Sequence, residues 1–195
     1  VVVVGGGSVA PGWSIGRAAC VTYARQGAHV CVLDRDRSSA QETVRLIADE
    51  GGSAEAHLAD VANESNVTAI FDALLQSHER IDVLHYNVGI GKTGGPLETT
   101  LEDWDRINTI NVRGLLHCAQ LVLPNMQKNG GGNFIAISSV AGQRYIGYPH
   151  LAYSVTKASV IQLIRMIAQQ YASQGIRANT VVPGPIDTPR IPTTD

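Results

Sequence analysis

Length, composition and charge leave few classes of protein open. The chain has 195 residues, of which 44% are hydrophobic and 16% are charged, and its formal net charge is −2. About 200 residues suit one domain with a large core, and a near-neutral charge lacks the basic footprint of a nucleic-acid-binding protein. No apolar run reaches about 18 residues. The sequence therefore predicts neither a nucleic-acid partner nor a membrane span.

Short β-branched runs alternate with longer amphipathic stretches along the whole chain. Alternating strands and helices are typical of a parallel sheet with helices on both faces. We therefore expect one α/β domain over residues 1–195, a doubly wound parallel sheet (Rossmann fold) in three α/β/α layers. The predicted strands are 1–4, 29–33, 54–58, 81–86, 133–138 and 177–182, and the predicted helices are 14–26, 38–50, 63–79, 100–128 and 152–173.

Three cysteines and six histidines raise the question of disulfides and metals. Cys20, Cys31 and Cys118 are odd in number and widely spaced. Each lies in an apolar periodic segment, where a free cysteine packs as a small hydrophobic residue. This usage favours a reducing compartment, the cytoplasm. The histidines show no ligand spacing such as His-Glu-x-x-His, so the sequence predicts no metal site.

A glycine-rich turn follows the first predicted strand. Gly5, Gly6 and Gly7 precede the stretch Val-Ala-Pro-Gly-Trp, and Gly16 stands near the start of the first predicted helix. Glycine lets a pyrophosphate approach the N–H groups of a helix N-terminus. Asp34, at the end of the second strand, is placed to accept hydrogen bonds from a ribose. A glycine-rich connection with a capping aspartate is the alternative, and we favour a dinucleotide site.

Tyr153 and Lys157 are four residues apart on a predicted helix and so share a face. A nearby ammonium favours tyrosinate and would lower the tyrosine pKa from about 10, which suits Tyr153 to general acid/base catalysis. Ser139 follows a strand at the edge where ligands bind, so it could donate a hydrogen bond to a substrate oxygen. Taken in isolation, Tyr153 could instead be a helix-start aromatic and Lys157 a solvated charge.

These motifs occur in the order, and at the positions relative to the predicted strands, that are found in the short-chain dehydrogenase/reductase family. The chain resembles that family over residues 1 to about 190. The family's glycine motif resembles residues 4–8 and, beyond an insertion at 9–13, residues 14–16, with Val and Ser in place of a Thr and a Gly. The resemblance implies a catalytic set of Asn111, Ser139, Tyr153 and Lys157. It implies a cofactor-binding set of Gly5, Gly7, Ser8, Ser14, Ile15, Gly16, Asp34, Arg35, Asp60, Val61, Asn87, Gly89, Tyr153, Lys157, Pro183, Gly184, Ile186 and Thr188.

The resemblance implies an oxidoreductase that transfers a hydride between NAD(H) and a secondary alcohol or ketone. Tyr153 would act as general acid/base, and Asn111 would hold a water that links Lys157 to solvent. Asp34 repels a 2′-phosphate, so we favour NAD over NADP, although Arg35 and Arg37 lie close by. Two alternatives stay open: an NADP(H)-dependent 3-oxoacyl thioester reductase, and a regulatory protein that binds a dinucleotide without turnover.

The resemblance also bears on assembly and on the end of the chain. Family members commonly form tetramers through the two long helices, so we expect a homo-oligomer, a tetramer or a dimer, and a small-molecule substrate. Residues 143–151 are predicted to line one wall of the substrate site. A substrate loop would begin at about 184–195. The family continues beyond this loop through a helix pair and a further strand, so we expect the C-terminal part to be missing from this chain.

Overall fold

The computed structural model describes residues 1–189, in which strands and helices alternate. The strands are β1 (Val2–Val4), β2 (His29–Asp34), β3 (Ser53–Leu58), β4 (Val83–Tyr86), β5 (Gly132–Ile137) and β6 (Ile176–Val181). The α-helices are α1 (Ile15–Arg25), α2 (Arg37–Asp49), α3 (Glu64–His78), α4 (Leu101–Asn108), α5 (Gly114–Lys128) and α6 (Leu151–Tyr171).

The strand order is β3-β2-β1-β4-β5-β6. β1 pairs in parallel with β2 and with β4, β2 pairs in parallel with β3, and β5 pairs in parallel with β6. This topology confirms the predicted doubly wound α/β class, in which helical crossovers join parallel strands. The described chain divides into two compact units, residues 1–87 with 185–189 and residues 88–184.

In the first unit, β1 lies between β2 and β4, and Val3 is paired with Val32 on one side and His85 on the other. Val3, Val30 and Val32 present one face, on which α1 and α2 pack with Cys20 and Ile47 among the buried residues. Val2 and Val4, which point to the opposite face, are buried as well. Burial on both faces explains why this strand is a continuous apolar run.

In the second unit, β5 and β6 pair in parallel from Gly132 and Ile176 onward. The apolar residues Phe134, Val122 and Ile164, from β5, α5 and α6, are almost fully buried. Gly132 sits against the Met126 side chain so closely that a Cβ there would lie 2.4 Å from the sulfur. None of the helices within residues 1–189 combines the length and apolar character needed to cross a bilayer.

The helix predicted over 100–128 is interrupted. Thr100 caps the start of α4 by accepting a hydrogen bond from the Asp103 N–H, as the Thr-x-x-Asp pattern indicates. Residues Thr109–Arg113 then form a π-helical turn before α5 begins at Gly114. A π-turn inserts one extra residue into the helical path and occurs frequently at functional sites.

Candidate functional site

The glycine turn of the first unit is held by hydrogen bonds of its own backbone. The N–H groups of Gly5 and Gly6 both donate to the Leu33 carbonyl, at 2.8 and 3.1 Å. The Gly7 N–H donates to Asp34 Oδ2 at 2.9 Å. The turn is thereby fixed against the end of β2 by the same carboxylate that the sequence assigns to a ribose.

Close backbone approach explains the glycine at the start of α1. A Cβ at Gly16 would lie 1.9 Å from the Gly5 carbonyl oxygen, a distance that no side chain permits. Ser14 is the N-cap of α1, and its hydroxyl donates to the Gly7 carbonyl at 2.6 Å. Ile15 and Gly16 are the first two residues of α1, so their N–H groups have no acceptor within the helix. This cradle fits the pyrophosphate of a dinucleotide.

The inserted loop at 9–13 is anchored by a residue that sequence reasoning missed. Arg17 is only 5% exposed, and its Nη1 donates to the Gly12 carbonyl at 2.6 Å. Its Nε donates to Thr43 Oγ1 at 3.2 Å, and the Thr43 hydroxyl donates to the Gly6 carbonyl at 2.9 Å. The one available signal was a charged residue within an otherwise apolar helical stretch.

Asp34 lies half-buried at the carboxyl end of β2. Besides the bond from Gly7, its Oδ1 accepts from the Asp36 N–H at 3.1 Å. Each carboxylate oxygen has a second acceptor site, so the group retains capacity for ribose hydroxyls. The neighbouring Arg35 side chain is exposed.

The loop after β3 carries two of the predicted cofactor residues. Asp60 is exposed, and its Oδ1 accepts from the Ala62 N–H at 3.0 Å. Val61 is buried. The Asp60 N–H donates to Asn66 Oδ1 at 2.9 Å, so side chains of the loop and of α3 fix this backbone.

Asn87, which follows β4, supports the glycine turn. Its Nδ2 donates to the Gly5 carbonyl at 2.9 Å, and its N–H donates to the Val4 carbonyl at 2.9 Å. The side chain predicted to contact a cofactor therefore shapes the turn that would contact it. Ser8, another predicted cofactor residue, is likewise held by a hydrogen bond within the protein: its N–H donates to Ser39 Oγ at 2.5 Å.

The predicted cofactor residues between positions 183 and 188 follow β6. In the second unit, the Pro183 carbonyl accepts from the Val140 N–H at 3.0 Å, and Gly184 has no neighbour within 4 Å of a built Cβ. In the first unit, Ile186 is exposed and Thr188 is half-buried.

In the second unit, Lys157 and Tyr153 lie on one face of α6. The Lys157 side chain is 3% exposed, and its Nζ donates to the Ile137 carbonyl at 2.8 Å. The same Nζ lies 5.6 Å from the centroid of the Tyr153 ring. A solvated role for Lys157 is therefore wrong, because burying an ammonium is costly and the fold places it at the end of β5.

Asn111 occupies the π-turn and is fully buried. Its Oδ1 accepts from the Ile90 N–H at 2.8 Å, and its Nδ2 donates to the Ile90 carbonyl at 2.9 Å. Nδ2 also donates to Thr156 Oγ1 at 2.9 Å, and Thr156 donates to the Tyr153 carbonyl at 2.8 Å. Thr156, which the sequence did not single out, thus connects the π-turn to the helix that carries Tyr153.

Ser139 begins a short 3₁₀ turn directly after β5, and its Oγ accepts from the Ala141 N–H at 3.2 Å. The preceding Ser138 is buried and donates to the Lys157 carbonyl at 2.7 Å. At Gly142 a Cβ would lie 2.6 Å from the Lys157 carbonyl carbon. The Ser139 turn is therefore packed directly against α6.

Two further residues surround the pair on α6. A Cβ at Gly89 would lie 2.7 Å from Lys157 Nζ, so the absence of a side chain makes room for the ammonium. The His150 ring stacks on the Tyr153 ring with centroids 4.8 Å apart. Tyr145, also predicted to line the substrate wall, is largely exposed.

This arrangement matches a known family over nearly the whole chain. The sequence model described as "Enoyl-(Acyl carrier protein) reductase" matches residues 9–194. The 2-keto-3-deoxy-L-fuconate dehydrogenase of Xanthomonas campestris pv. campestris is 37% identical over 183 residues, covering 93% of this chain and 58% of that protein. The 3-oxoacyl-[acyl-carrier-protein] reductase FabG of Thermotoga maritima is 31% identical over 176 residues, with coverages of 90% and 71%.

Solved structures agree. A 7α-hydroxysteroid dehydrogenase, complexed with NADH and 7-oxo glycochenodeoxycholic acid, has a TM-score of 0.88 at 32% identity. The superposition covers 96% of this chain and 71% of that one. The chain spans about 58 to 71% of the length of these relatives. The glycine turn, the buried lysine beside a tyrosine and these similarities together place the chain in the short-chain dehydrogenase/reductase family of oxidoreductases.

Proposed function

We propose that the full protein transfers a hydride between a nicotinamide dinucleotide and a secondary alcohol or ketone, and that residues 1–195 form its dinucleotide-binding domain. The observation that carries this proposal is the buried Lys157 ammonium, 5.6 Å from the Tyr153 ring centroid. A buried cation beside a phenol on one helix face is the arrangement expected of a catalytic acid/base pair.

The chemistry of the chain's own residues follows from their positions. The Tyr153 hydroxyl gives a proton to the substrate oxygen in reduction and takes it back in oxidation. Lys157 places its ammonium charge 5.6 Å from the centroid of the Tyr153 ring. Ser139, whose hydroxyl is at the carboxyl end of β5, donates a hydrogen bond to the same oxygen. A nicotinamide dinucleotide, when bound, would supply or accept the hydride.

The first unit would hold the dinucleotide. The N–H groups of Ile15 and Gly16 and the close approach of Gly16 to Gly5 support a pyrophosphate at the start of α1. Asp34 would accept hydrogen bonds from the adenosine ribose. Because a carboxylate at this position repels a 2′-phosphate, we propose NAD over NADP.

A second candidate is the NADP(H)-dependent reduction of a 3-oxoacyl thioester. It is supported by the similarity to the reductase of Thermotoga maritima and by the description of the family model. The exposed Arg35 directly after Asp34 offers a cation for a 2′-phosphate. The two candidates share the catalytic residues and differ in cofactor and substrate.

We further propose a homo-oligomer in the cytoplasm. Leu116 on α5 and Val155 and Met166 on α6 are more than one-third exposed, which suits helices that meet a second copy. Cys20, Cys31 and Cys118 are unpaired thiols, as expected of a reducing compartment.

The substitution Tyr153→Phe tests the proposed function. In the full-length protein, kcat/KM on the best secondary alcohol or ketone of a broad panel should fall by at least about 100-fold, the range typical of lost acid/base catalysis. The dissociation constant for NADH should change little, because the phenol is not needed for binding the adenosine half. Tyr171→Phe, at the end of the same helix, is the matched control.

Unchanged turnover in Tyr153→Phe would remove the mechanism. If the unmodified protein binds NADH tightly yet turns over no substrate of an alcohol, ketone and acyl-thioester panel, a regulatory dinucleotide-binding role replaces the enzymatic one. Preferential turnover of 3-oxoacyl thioesters with NADPH would select the second candidate.

A further inference from the structure

Four side chains of types that can bind a metal ion lie together near the amino end of β2. They are His29 and Cys31 of β2, Glu55 of β3 and His78 of α3, and one donor atom from each lies within 4.8 Å of the others. Asp34 stands at the opposite end of β2, about 16 Å along the strand at roughly 3.3 Å per residue. We call these four residues the His-Cys-Glu cluster.

The fold itself brings the cluster together. Side chains two apart on a strand point to the same face, so His29 and Cys31 project side by side. The parallel register pairs Cys31 with Glu55. The fourth member, His78, is the last residue of α3, and the next residue, Glu79, turns the chain with a φ of 61°.

The donor atoms converge on a single carboxylate oxygen. Glu55 Oε1 lies 2.7 Å from His78 Nε2, 3.4 Å from Cys31 Sγ and 3.7 Å from His29 Nε2. A further imidazole nitrogen, His57 Nε2, lies 3.4 Å from the same oxygen. Four potential donor atoms therefore lie within 3.7 Å of this one carboxylate oxygen.

Hydrogen bonds within the protein leave two histidine ring nitrogens around Glu55 unsatisfied. Among the described residues, the Nε2 atoms of His29 and His57 are buried without a hydrogen-bond partner. Buried polar atoms in folded proteins are nearly always paired. The unpaired Nε2 of His29, which faces Glu55 Oε1 at 3.7 Å, is accounted for if a cation occupies the space beside it.

An outer partner orients one of the ligands. His29 Nδ1 lies 2.6 Å from Ser53 Oγ, which leaves Nε2 directed at Glu55. Metal-bound histidines almost always use their second ring nitrogen in this way, which fixes the ring orientation. The imidazoles and the carboxylate are each about one-third exposed, so an ion has a path from solvent.

The surroundings of two members shift their pKa values. Desolvation acts to raise the pKa of Glu55, but hydrogen bonds from His78 and Cys31, together with the nearby His57 imidazole, outweigh it and lower that pKa to about 2. Burial, together with the neighbouring carboxylate, raises the pKa of Cys31 to about 12.

We propose that His29, Cys31, Glu55 and His78 bind one divalent transition-metal ion, with zinc as the best match. Two imidazoles, a thiolate and a carboxylate are the ligands that zinc takes in tetrahedral sites. Calcium and magnesium prefer all-oxygen sites. Zinc–ligand bonds of about 2.0–2.3 Å require the widest donor separations to shorten and the 2.7 Å contact between His78 Nε2 and Glu55 Oε1 to lengthen.

Bound metal would join the edge strand β3 to β2 and to the end of α3. Edge strands are the least constrained part of a sheet and expose unpaired backbone groups. A metal at this point therefore stabilises the outer margin of the first unit. Sequence reasoning predicted no metal because the ligands come from three elements and form no compact motif.

Metal titration of the untagged full-length protein, first stripped with a chelator, tests the proposal. Isothermal titration should show one zinc equivalent per chain. Cobalt(II) should give visible d–d bands and a thiolate-to-cobalt charge-transfer band. In Cys31→Ala and in His78→Gln the affinity should fall at least about 100-fold, the upper range for losing even an outer-shell partner. Cys118→Ala and His117→Gln are matched controls and should bind as the unmodified protein does.

The absence of saturable binding, or unchanged affinity in both Cys31→Ala and His78→Gln, would overturn the proposal. A cobalt complex without the thiolate band would overturn it too, since Cys31 would then be no ligand. This spectrum is recorded on the unmodified protein, so the test stands even if a variant fails to fold. Turnover is not a readout, so the outcome is independent of the proposed oxidoreductase activity.

Discussion

Gly89 and Lys157 are matched in shape: the absence of a side chain at position 89 leaves the space that the Lys157 ammonium occupies. A built Cβ would lie 2.7 Å from Nζ and 3.2 Å from Cε. Lys157 is also held by the Ile137 carbonyl at 2.8 Å, so it cannot move aside without losing a hydrogen bond. The position of the Lys157 ammonium is thus set by a glycine on a separate loop.

We expect Gly89→Ala to displace Lys157 and to lower kcat/KM by about 100-fold, since a displacement near 1 Å can cost that much. Steady-state kinetics on the full-length protein measures the effect. Ala158→Ser, a change of similar size on the exposed neighbour of Lys157, is the control. Activity retained in Gly89→Ala would show that the ammonium position is not critical.

Thr156→Val tests the connection between the π-turn and α6. Valine keeps the shape but removes the hydroxyl that accepts from Asn111 Nδ2 and donates to the Tyr153 carbonyl. An unsatisfied buried donor costs about 1–3 kcal/mol, so the free energy of unfolding in urea should fall by that amount. Thr22→Val changes an exposed helical threonine and should stay within about 0.5 kcal/mol. Equal effects of the two changes would contradict the assignment.

Asp34→Asn tests the cofactor preference. Asparagine keeps an oxygen that can accept from the Gly7 N–H, but the charge that repels a 2′-phosphate is lost. The ratio of the NADPH and NADH dissociation constants should fall about tenfold, equivalent to roughly 1.4 kcal/mol. Fluorescence titration measures both constants, and Asp72→Asn on α3 controls for the net charge. An unchanged ratio, or tighter NADPH binding by the unmodified protein, would reverse the NAD assignment.

His85 predicts how stability depends on pH. Burial lowers its pKa to about 4, against about 6.5 in an unfolded chain, and its Nδ1 lies 3.0 Å from the Tyr23 hydroxyl. Because the unfolded state binds the proton more readily, stability is full above pH 6.5 and falls as the pH drops towards 4. Between pH 7 and 5 the loss from this residue is about 2 kcal/mol.

Urea unfolding at pH 7 and pH 5 measures this difference. In His85→Gln the loss between the two pH values should shrink by about 2 kcal/mol, while His117→Gln should behave as the unmodified protein. An identical pH dependence in His85→Gln would show that His85 is not the group responsible.

The sequence predicts well those strands and helices whose buried residues recur with the regular period of a single strand or helix. The strand predicted at 29–33 is His29–Asp34 in the structure, because a two-sided sheet requires a continuous apolar run. A glycine just after an amphipathic stretch is a sequence signal for a helix end, and Gly27 and Gly51, which follow α1 and α2, have left-handed φ values of 81° and 77°.

What the sequence could not show depends on contacts between elements. Arginine is a strongly polar residue, so the sequence predicts an exposed side chain at Arg17. Only the fold shows that this side chain is buried and hydrogen-bonded to Gly12 and Thr43. Asn87 matches a cofactor motif, yet its amide holds the Gly5 carbonyl. Cys31 is buried as expected, but the sequence did not show that its sulfur lies 3.4 Å from Glu55 Oε1.

The π-turn at Thr109–Arg113 has a consequence for how this region can change. One residue occupies about 100° of helical rotation, so the extra residue turns the faces of α5 out of phase with those of α4. Deleting a single residue there would merge the two into one uninterrupted helix and rotate all that follows. The Asn111 amide would then lose its hydrogen bonds to both Ile90 and Thr156. Point substitutions can therefore adjust this segment, whereas a change in its length disrupts it.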